Sequence, residues 1–221
     1  MIRLRSRSLS ALAIALGSLV PSAWTGCGKP PAAGGREDAP APVFRGRVLA
    51  ETVPRPEFTL LDTAGEPYDF LEETRGKTAL LFFGYTHCPD VCPIHMGNIA
   101  AVLNDLGVER RRHVEVVFVS TDPERDTPGR IREWLDRFDP AFVGLRGDRA
   151  EVDAIQRSLG LPPSVLEPRA GDGSYAVGHA AQVVAFSPDG PARIVYPFGT
   201  RQADWAHDLP LLIAGTTPGH P

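Results

Sequence analysis

The chain has 221 residues, of which 43% are hydrophobic and 23% charged, a composition that supports one folded domain with appendages and excludes a disordered, collagen-like or fibrous protein. Lys and Arg total 23 against 27 Asp and Glu, and beyond the first seven residues no run of basic residues is longer than three, so nucleic acid is excluded as a partner. Three cysteines are too few for a small disulfide-stapled scaffold.

The first 26 residues are predicted to be a secretory signal peptide. Arg3, Arg5 and Arg7 precede an apolar run over residues 9–20, which is the pattern of such a peptide. The run is too short to cross a bilayer comfortably, since a spanning helix needs about 20 apolar residues. A buried core helix is the plain alternative, but it fits poorly with the charged start.

Cys27 is predicted to carry a lipid. The sequence WTGC at residues 24–27 resembles the lipobox of bacterial lipoproteins, in which a small residue precedes a cysteine that is acylated and becomes the new first residue. Trp24 stands where the lipobox usually has Leu. Two alternatives remain open at this point, which are cleavage near Ala23 with a free Cys27 and an uncleaved anchor.

Residues 27–42 are predicted to form a tether. Residues 28–42 contain four Pro, three Gly and four Ala, and such a segment buries too little apolar area to offset its ordering entropy. Removing residues 1–26 takes away three positive charges and no negative ones, which changes the net charge from −4 to −7. We therefore expect an acidic domain held away from a membrane.

From Val43 onward, strand-like and helix-like patterns alternate. The strands are predicted from apolar runs bounded by turns, over residues 58–61, 78–85, 114–120, 142–145, 182–186 and 194–198. The last two runs flank the turn at residues 187–190 and predict a hairpin.

The helices are predicted from apolar residues at three-and-four spacing. They cover residues 94–106 with a stop at Gly107, a segment from Pro128 to Asp139, residues 152–160, and a closing helix from about Gln202 in which Pro210 forces a break or a restart. The pattern predicts an α/β fold with a mixed β-sheet flanked by helices and with a C-terminal hairpin and helix.

The chemistry concentrates in the sequence HCPDVCP at residues 87–93. If Cys27 is acylated, Cys88 and Cys92 are the two remaining thiols. They fall between a predicted buried strand and a helix start, where α/β proteins collect functional groups and where a thiolate is favoured. The pair could bind a metal or close to a disulfide. An inert structural disulfide is the plain alternative, but closing so short a loop stabilises a fold little.

A histidine would separate these possibilities. Two thiolates alone suit Cu(I), and one added imidazole makes a ligand set that also holds Cu(II). His179 lies between small residues before the predicted strand 182–186, although a loop histidine taken alone is more often solvated and idle. His87 is expected to tune the thiols, because neighbours on an extended segment point to opposite sides. His95 could share the helix face of Cys92. The remaining histidines are expected to be exposed: His113, His207 and His220.

Three motifs occur in order along the chain, namely FFGYTHCPDVCP at residues 82–93, STDPERDTPGRIREWLDRFDPAFVGLRGD at residues 120–148, and GHA followed by a strand and SPDG. They resemble the SCO/SenC family of thioredoxin-like copper chaperones, which assemble the binuclear copper site of cytochrome c oxidase. The likeness spans residues 44–212. It implies a thioredoxin-like copper-binding domain within residues 43–221 and a copper ion held by Cys88, Cys92 and His179.

Two positions depart from the family pattern. The family usually has Asp before this histidine and a hydroxyl residue after it, whereas this chain has Gly178 and Ala180. A carboxylate that would orient the ring is therefore missing locally. We expect either weaker copper affinity or a function weighted towards thiol redox chemistry.

The DPERDTP motif at residues 122–128 predicts a helix start. Asp126 or Thr127 would cap the helix and Pro128 would take the first helical position. A role for its charged side chains in docking a partner is the alternative.

Two functions of different classes follow. The first is an assembly factor that receives copper, as Cu(I) or Cu(II), from a donor protein and delivers it to the copper-site subunit of cytochrome c oxidase, with reduction of that subunit's cysteines as a possible addition. The second is a metal-free periplasmic thiol-disulfide oxidoreductase in which Cys88 attacks and Cys92 resolves. Thioredoxins use C-x-x-C and a facing cis-proline, and this chain has a longer spacing and no proline between Pro168 and Gln182, which favours copper. A peroxidase is disfavoured because Thr86 lies two residues before Cys88 rather than three.

The leader and the tether also predict a location. The domain is expected on the periplasmic side of a bacterial membrane, attached to that membrane by the lipid on Cys27.

Overall fold

The computed structural model describes residues 43–168 and 174–218. The predicted signal peptide, Cys27, the tether and His220 lie outside the described residues. Within those ranges the strands are β1 (Arg47–Val53), β2 (Thr59–Asp62), β3 (Pro67–Asp69), β4 (Thr78–Gly84), β5 (Val114–Ser120), β6 (Val143–Arg146), β7 (Val165–Pro168), β8 (Tyr175–Gly178), β9 (Val183–Phe186) and β10 (Ala192–Tyr196). The helices are α1 (Phe70–Glu73), α2 (Val91–Leu106), α3 (Val108–Arg111), α4 (Pro128–Leu135), α5 (Arg149–Ser158) and α6 (Gln202–Ile213).

Eight strands form one mixed sheet in the order β1-β10-β9-β4-β5-β6-β2-β3. β4, β5 and β6 run parallel, while β9 pairs antiparallel with β4. β7 and β8 form a separate antiparallel hairpin. Parallel strands need helical crossovers, and α2 and α4 supply them. The observed sheet, with the β9–β10 hairpin followed by α6, confirms the predicted α/β class.

β4 is the centre of the core because both of its faces are covered. All seven of its residues are buried, which explains the continuous apolar run in the sequence. Leu80 and Phe82 face the layer that contains α2, α4 and α6, whereas Leu81 and Phe83 face the layer that contains α1 and α5. Residues on β4 therefore alternate between two cores, and the strand cannot shift register without exposing one of them.

Helix starts follow the capping chemistry of the sequence. Thr127 caps α4 by accepting a hydrogen bond from the Arg130 N–H, and Pro128 occupies the first turn. Asp148 and Glu151 form a reciprocal capping box at α5. The prediction that residues 122–128 lead into a capped helix is confirmed, with Thr127 rather than Asp126 as the cap.

One predicted break does not occur. α6 continues through Pro210 to Ile213, so the expectation that Pro210 interrupts the helix is wrong. Trp205, Leu209 and Leu212 are buried between α6 and the sheet, and this packing outweighs the one backbone hydrogen bond that proline cannot donate. Among the described residues, no helix combines the length and apolar character needed to span a membrane.

Candidate metal centre

Cys88 and Cys92 occupy the turn between β4 and α2. Cys88 lies in the turn, and Cys92 is the second residue of α2. The Cys88 N–H donates to the Tyr85 carbonyl over 3.1 Å, and the Cys92 N–H approaches Cys88 Sγ at 3.4 Å. The turn therefore directs a first-turn amide of α2 at the Cys88 sulfur, which favours negative charge there.

Gly84, the last residue of β4, makes room for the second thiol. A Cβ at this position would lie 2.8 Å from Cys92 Sγ, which is closer than atoms approach without a shift. The Cys92 sulfur thus packs directly against the backbone of β4 at Gly84. Sequence reasoning did not identify Gly84, since a glycine that ends a strand is usually explained by a turn.

His179 approaches the thiols from a different part of the chain. It follows β8 directly, and its ring stands edge-on to Phe82 and Tyr85, with centroids 5.8 and 5.7 Å away. Its Nε2 lies 3.5 Å from Cys92 Sγ, although the two residues are 87 positions apart. Its Nδ1 lies 3.1 Å from the Ala180 carbonyl oxygen. A carbonyl only accepts, so Nδ1 carries a proton and Nε2 is the ring nitrogen that faces the sulfurs.

The three donors converge on one point. Cys88 Sγ, Cys92 Sγ and a ring nitrogen of His179 all lie within 4.8 Å of one another. With bonds of about 2.3 Å to sulfur and about 2.0 Å to nitrogen, as zinc forms with these donors, one ion can contact all three atoms after small adjustments. Cys92 is fully buried, whereas Cys88 is 9% exposed and His179 is half-buried. The accessible side of the site is therefore the side of Cys88 and His179.

The two thiols have opposite acidities. Hydrogen bonding from Cys92 is the main cause that lowers the pKa of Cys88 from 9.0 to about 4, with a smaller contribution from His179 and with burial opposing. Burial is the main cause that raises the pKa of Cys92 well above 9.0, and the neighbouring Cys88 adds to it. Near neutral pH in the metal-free protein, Cys88 is a thiolate and Cys92 is a thiol that donates to it.

The other two histidines near the motif stay outside this cluster. The His87 side chain is 41% exposed and its Nδ1 faces Asp126 at 3.6 Å. His95 does lie on the buried face of α2 with Cys92, but its Nε2 lies 3.2 Å from the Ala181 carbonyl and its ring packs on Phe82. Burial is the main cause that lowers the pKa of His95, so it remains neutral. His95 thus contacts the backbone just after His179.

The positions that flank His179 have other partners than the sequence suggested. The Ala180 carbonyl accepts from Nδ1 of His179 and so orients Nε2 towards the sulfurs, which is one of the roles expected of an outer carboxylate. At Gly178, a Cβ would lie 2.6 Å from Oε1 of Glu167 on the paired strand β7. A carboxylate therefore does occupy the space beside position 178, but it comes from the opposite strand.

Comparison with known proteins agrees with this architecture. A protein-family model described as SCO1/SenC matches residues 49–214. The structure of Bradyrhizobium japonicum ScoI with copper bound is 34% identical, with a TM-score of 0.64, over 72% of this chain and 99% of that one. The human protein SCO1 homolog, mitochondrial, is 36% identical over 116 residues, which is 52% of this chain and 38% of that protein. The expected thioredoxin-like fold is confirmed by these neighbours.

A third neighbour shares the fold at lower identity. BsSco, described as a member of the Sco family of cytochrome c oxidase assembly proteins and as having a disulfide switch, is 20% identical with a TM-score of 0.58, over 76% of this chain and 98% of that one. The chain spans between 34% and 66% of the length of the curated relatives that it matches.

Proposed function

Because the chain belongs to the SCO1/SenC family, we propose that it binds one copper ion through Cys88, Cys92 and His179 and delivers it to the copper-site subunit of cytochrome c oxidase. The observation that carries this proposal is the convergence of two sulfurs and one imidazole nitrogen within 4.8 Å, from segments 87 residues apart. Copper is the cargo in this proposal, received from a donor protein and passed on by ligand exchange.

The donor set suits copper in both oxidation states. Two cysteine sulfurs are soft ligands that select Cu(I), and the imidazole adds a ligand suited to Cu(II). In the proposed site the Cys88 thiolate binds without losing a proton near neutral pH, whereas Cys92 must release one. Nε2 of His179 is aimed at the ion because Nδ1 is bonded to Ala180.

Release follows from the unequal exposure of the ligands. Cys92 is enclosed by Gly84 and the core, so an incoming thiolate of the acceptor would first meet the side of Cys88 and His179. Exchange would proceed ligand by ligand, with His179 and Cys88 displaced before Cys92. No electron transfer is needed in this sequence.

The metal-free oxidoreductase is the second candidate, and the inequality of the two thiols favours it. A thiolate at Cys88 beside a protonated Cys92 is the arrangement of an attacking and a resolving cysteine. Cys88 would attack a disulfide of the acceptor, and Cys92 would then close a Cys88–Cys92 disulfide and release the acceptor as a dithiol. The two functions use the same side chains and are compatible in one protein.

The location and the membrane attachment belong to the same proposal. The signal peptide, the lipid on Cys27 and the tether at residues 27–42 would hold the domain on the periplasmic side of a bacterial membrane. There it would meet the membrane-bound oxidase subunit that it serves.

A copper titration tests the proposal. The chain from residue 27 onward is prepared with Cys27→Ser, so that Cys88 and Cys92 are its only thiols. Offered Cu(I) when fully reduced and without oxygen, it is expected to keep one copper per chain through a desalting column. The variant His179→Ala is expected to keep Cu(I) but to lose tight Cu(II) binding, because the imidazole is the ligand that suits Cu(II).

The control is His113→Ala, which removes an exposed histidine far along the chain from the site. It is expected to bind both ions as the parent does. A parent protein that leaves the column without copper would refute the chaperone proposal. Rapid reduction of a disulfide-bonded oxidase-subunit peptide by the same metal-free protein would then support the oxidoreductase.

A further inference from the structure

The loop that follows β5 carries two buried carboxylates that are not among the proposed copper ligands. Asp122 and Asp126 are both fully buried, and Arg125 lies between them. A buried carboxylate is costly unless hydrogen bonds or opposite charges compensate it. Their partners therefore indicate what this loop does.

Asp126 holds the segment that carries the cysteines. Its carboxylate accepts hydrogen bonds from the Thr86 hydroxyl over 2.6 Å and from the Thr86 N–H over 3.1 Å. It also accepts from the Ser120 hydroxyl at the end of β5 over 2.7 Å. Thr86 lies two residues before Cys88, so Asp126 fixes the start of the cysteine turn to the end of the neighbouring strand.

Asp122 and Arg125 hold the segment that carries the histidine. The Tyr175 hydroxyl donates to Asp122 over 2.8 Å, and Arg125 Nη1 donates to the Tyr175 carbonyl over 3.1 Å. The Arg125 guanidinium also lies 3.7 Å from the centroid of the Tyr175 ring. Tyr175 begins β8, which ends at Gly178 directly before His179. The hairpin that bears His179 is thereby tied to the same loop.

We infer that Asp122, Arg125 and Asp126 are positioning residues that set the distance between the thiols and the His179 ring. This inference rests on the proposed function for its purpose, but the contacts themselves do not depend on copper. One loop of five residues binds both segments of the site, and none of the three side chains is among the donors that converge there.

Two other roles for the loop are disfavoured by the same contacts. Asp122 and Asp126 are buried inside the domain, so their carboxylates cannot dock a partner. Together with His87 they form a cluster of possible metal ligands. However, both oxygens of Asp122 accept from Tyr175 and Arg125, and both oxygens of Asp126 accept from Thr86 and Ser120, so a cation would have to displace these donors.

The variant Tyr175→Phe tests the contact between this loop and the hairpin that bears His179. It removes the hydroxyl that binds Asp122 and keeps the ring that stacks on Arg125. We expect about 10- to 100-fold weaker Cu(II) binding, the range typical for loss of an outer partner of a metal ligand, with a changed Cu(II)–thiolate absorption spectrum and unchanged retention of Cu(I). Tyr68→Phe is the matched control, because its hydroxyl is buried without a hydrogen-bond partner on β3.

A measurement without copper separates this inference from the proposed function. Nuclear Overhauser contacts between the rings of His179 and Tyr85 are expected in the parent protein, where the centroids lie 5.7 Å apart. They should be weakened or lost in Tyr175→Phe and retained in Tyr68→Phe. If the parent binds no copper but Tyr175→Phe loses these contacts, the proposed function fails and the positioning role stands.

Arg125→Lys provides a second test of the contact between the loop and Tyr175. Lysine keeps the charge but cannot stack as a planar fork on Tyr175, so an effect in the same direction as that of Tyr175→Phe is expected. Asp126→Asn tests the contact between the loop and Thr86. It is expected to weaken Cu(I) retention as well, because the turn that carries the cysteines loses the carboxylate that holds it. Ring contacts and Cu(II) affinity within twofold of the parent in both Tyr175→Phe and Arg125→Lys would overturn the inference.

Discussion

The two cysteines of the site are the same residue type, yet their surroundings give them different chemistry. The Cys88 sulfur receives one hydrogen bond from the Cys92 thiol and another from the Cys92 backbone N–H. The Cys92 sulfur, in contrast, is enclosed between Gly84 and the core. The charged form of Cys88 is therefore favoured and that of Cys92 is disfavoured. One thiolate and one thiol in contact share a single proton, which is the state from which either of the two proposed functions would start.

The acidity of Cys88 can be measured directly. In the reduced, metal-free chain with Cys27→Ser, the ultraviolet absorption of the thiolate should be present at neutral pH and should disappear as the pH falls through about 4, because Cys88 then takes up a proton. Cys92→Ala removes the main hydrogen-bond donor and should move this transition to higher pH. His179→Ala should move it less, since its contribution is smaller.

Cys92→Ser is the matched control for that titration, because its hydroxyl can still donate to the Cys88 sulfur and should keep the transition low. A parent protein whose thiolate absorption appears only near the ordinary pKa of 9.0 would contradict the expected inequality of the two thiols.

Sequence reasoning found the donors but not what holds them. Cys88 and Cys92 could be singled out from spacing and from their place between strand and helix, while His179 was assigned through a family resemblance. Their partners could not be predicted, because Tyr175 and Asp122 are 53 positions apart and meet only through the fold. The DPERDTP motif was predicted to start a helix, and that part is confirmed by the Thr127 cap.

Among the secondary-structure elements, α6 and β1 are joined by one buried carboxylate. Asp208 on α6 accepts hydrogen bonds from the N–H groups of Arg45 and Gly46 at 2.9 and 2.8 Å, and from the Tyr196 hydroxyl at 3.0 Å. Because Arg45 and Gly46 directly precede β1, Asp208 fixes the beginning of the described domain to its last helix. Burial is the main cause that raises the pKa of Tyr196, so its hydroxyl stays a donor.

Asp208→Ala is expected to destabilise the domain strongly. It leaves two buried donors, the Gly46 N–H and the Tyr196 hydroxyl, and the partly buried Arg45 N–H without this acceptor. Each unsatisfied buried donor costs about 1–3 kcal/mol, so we expect the free energy of unfolding to fall by about 2 kcal/mol or more. Denaturant unfolding of the metal-free protein measures this loss. Asp204→Ala is the control one turn earlier on α6, where the carboxylate pairs with Arg201 at the surface, and its effect should be much smaller.

Elements with a strong local signal were predicted well, and the weak ones were missed. β4, β5, β9 and α2 follow from continuous apolar runs or helical spacing. β1, β7 and β8 were not predicted, because β1 and β7 are largely exposed edge elements whose pairing is decided by partners far along the chain. The error at Pro210 has a related origin, since tertiary packing holds α6 together through a residue that disfavours helices.

For the whole molecule, the net charge and the proposed membrane attachment bear on how the site would meet the proposed acceptor. Without residues 1–26 the chain carries −7 in place of −4, because three arginines and no acid are removed. Such a charge can steer encounters with a basic surface and makes their rate dependent on ionic strength. Attachment at Cys27 would confine those encounters to the membrane surface.

The proposed anchor predicts a defined covalent product. When the full chain is expressed in a bacterium that has a periplasm, the protein extracted from its membranes is expected to have the mass of residues 27–221 plus a lipid on Cys27. Cys27→Ala should yield no lipid-bearing species, whereas Cys88→Ala should be processed as the parent is. A parent protein with an unmodified Cys27, or one cut near Ala23, would contradict the anchor.

The contact between Gly178 and Glu167 carries an evolutionary consequence. The Glu167 carboxylate on β7 fills the space that a side chain at position 178 on β8 would need. Only one of the two paired strands therefore supplies an acidic group at this place. Restoring an aspartate before the histidine would crowd two negative charges into one place unless Glu167 swings into solvent. The two positions are therefore expected to covary across homologues, with an acid on one strand accompanied by a short or uncharged residue on the other.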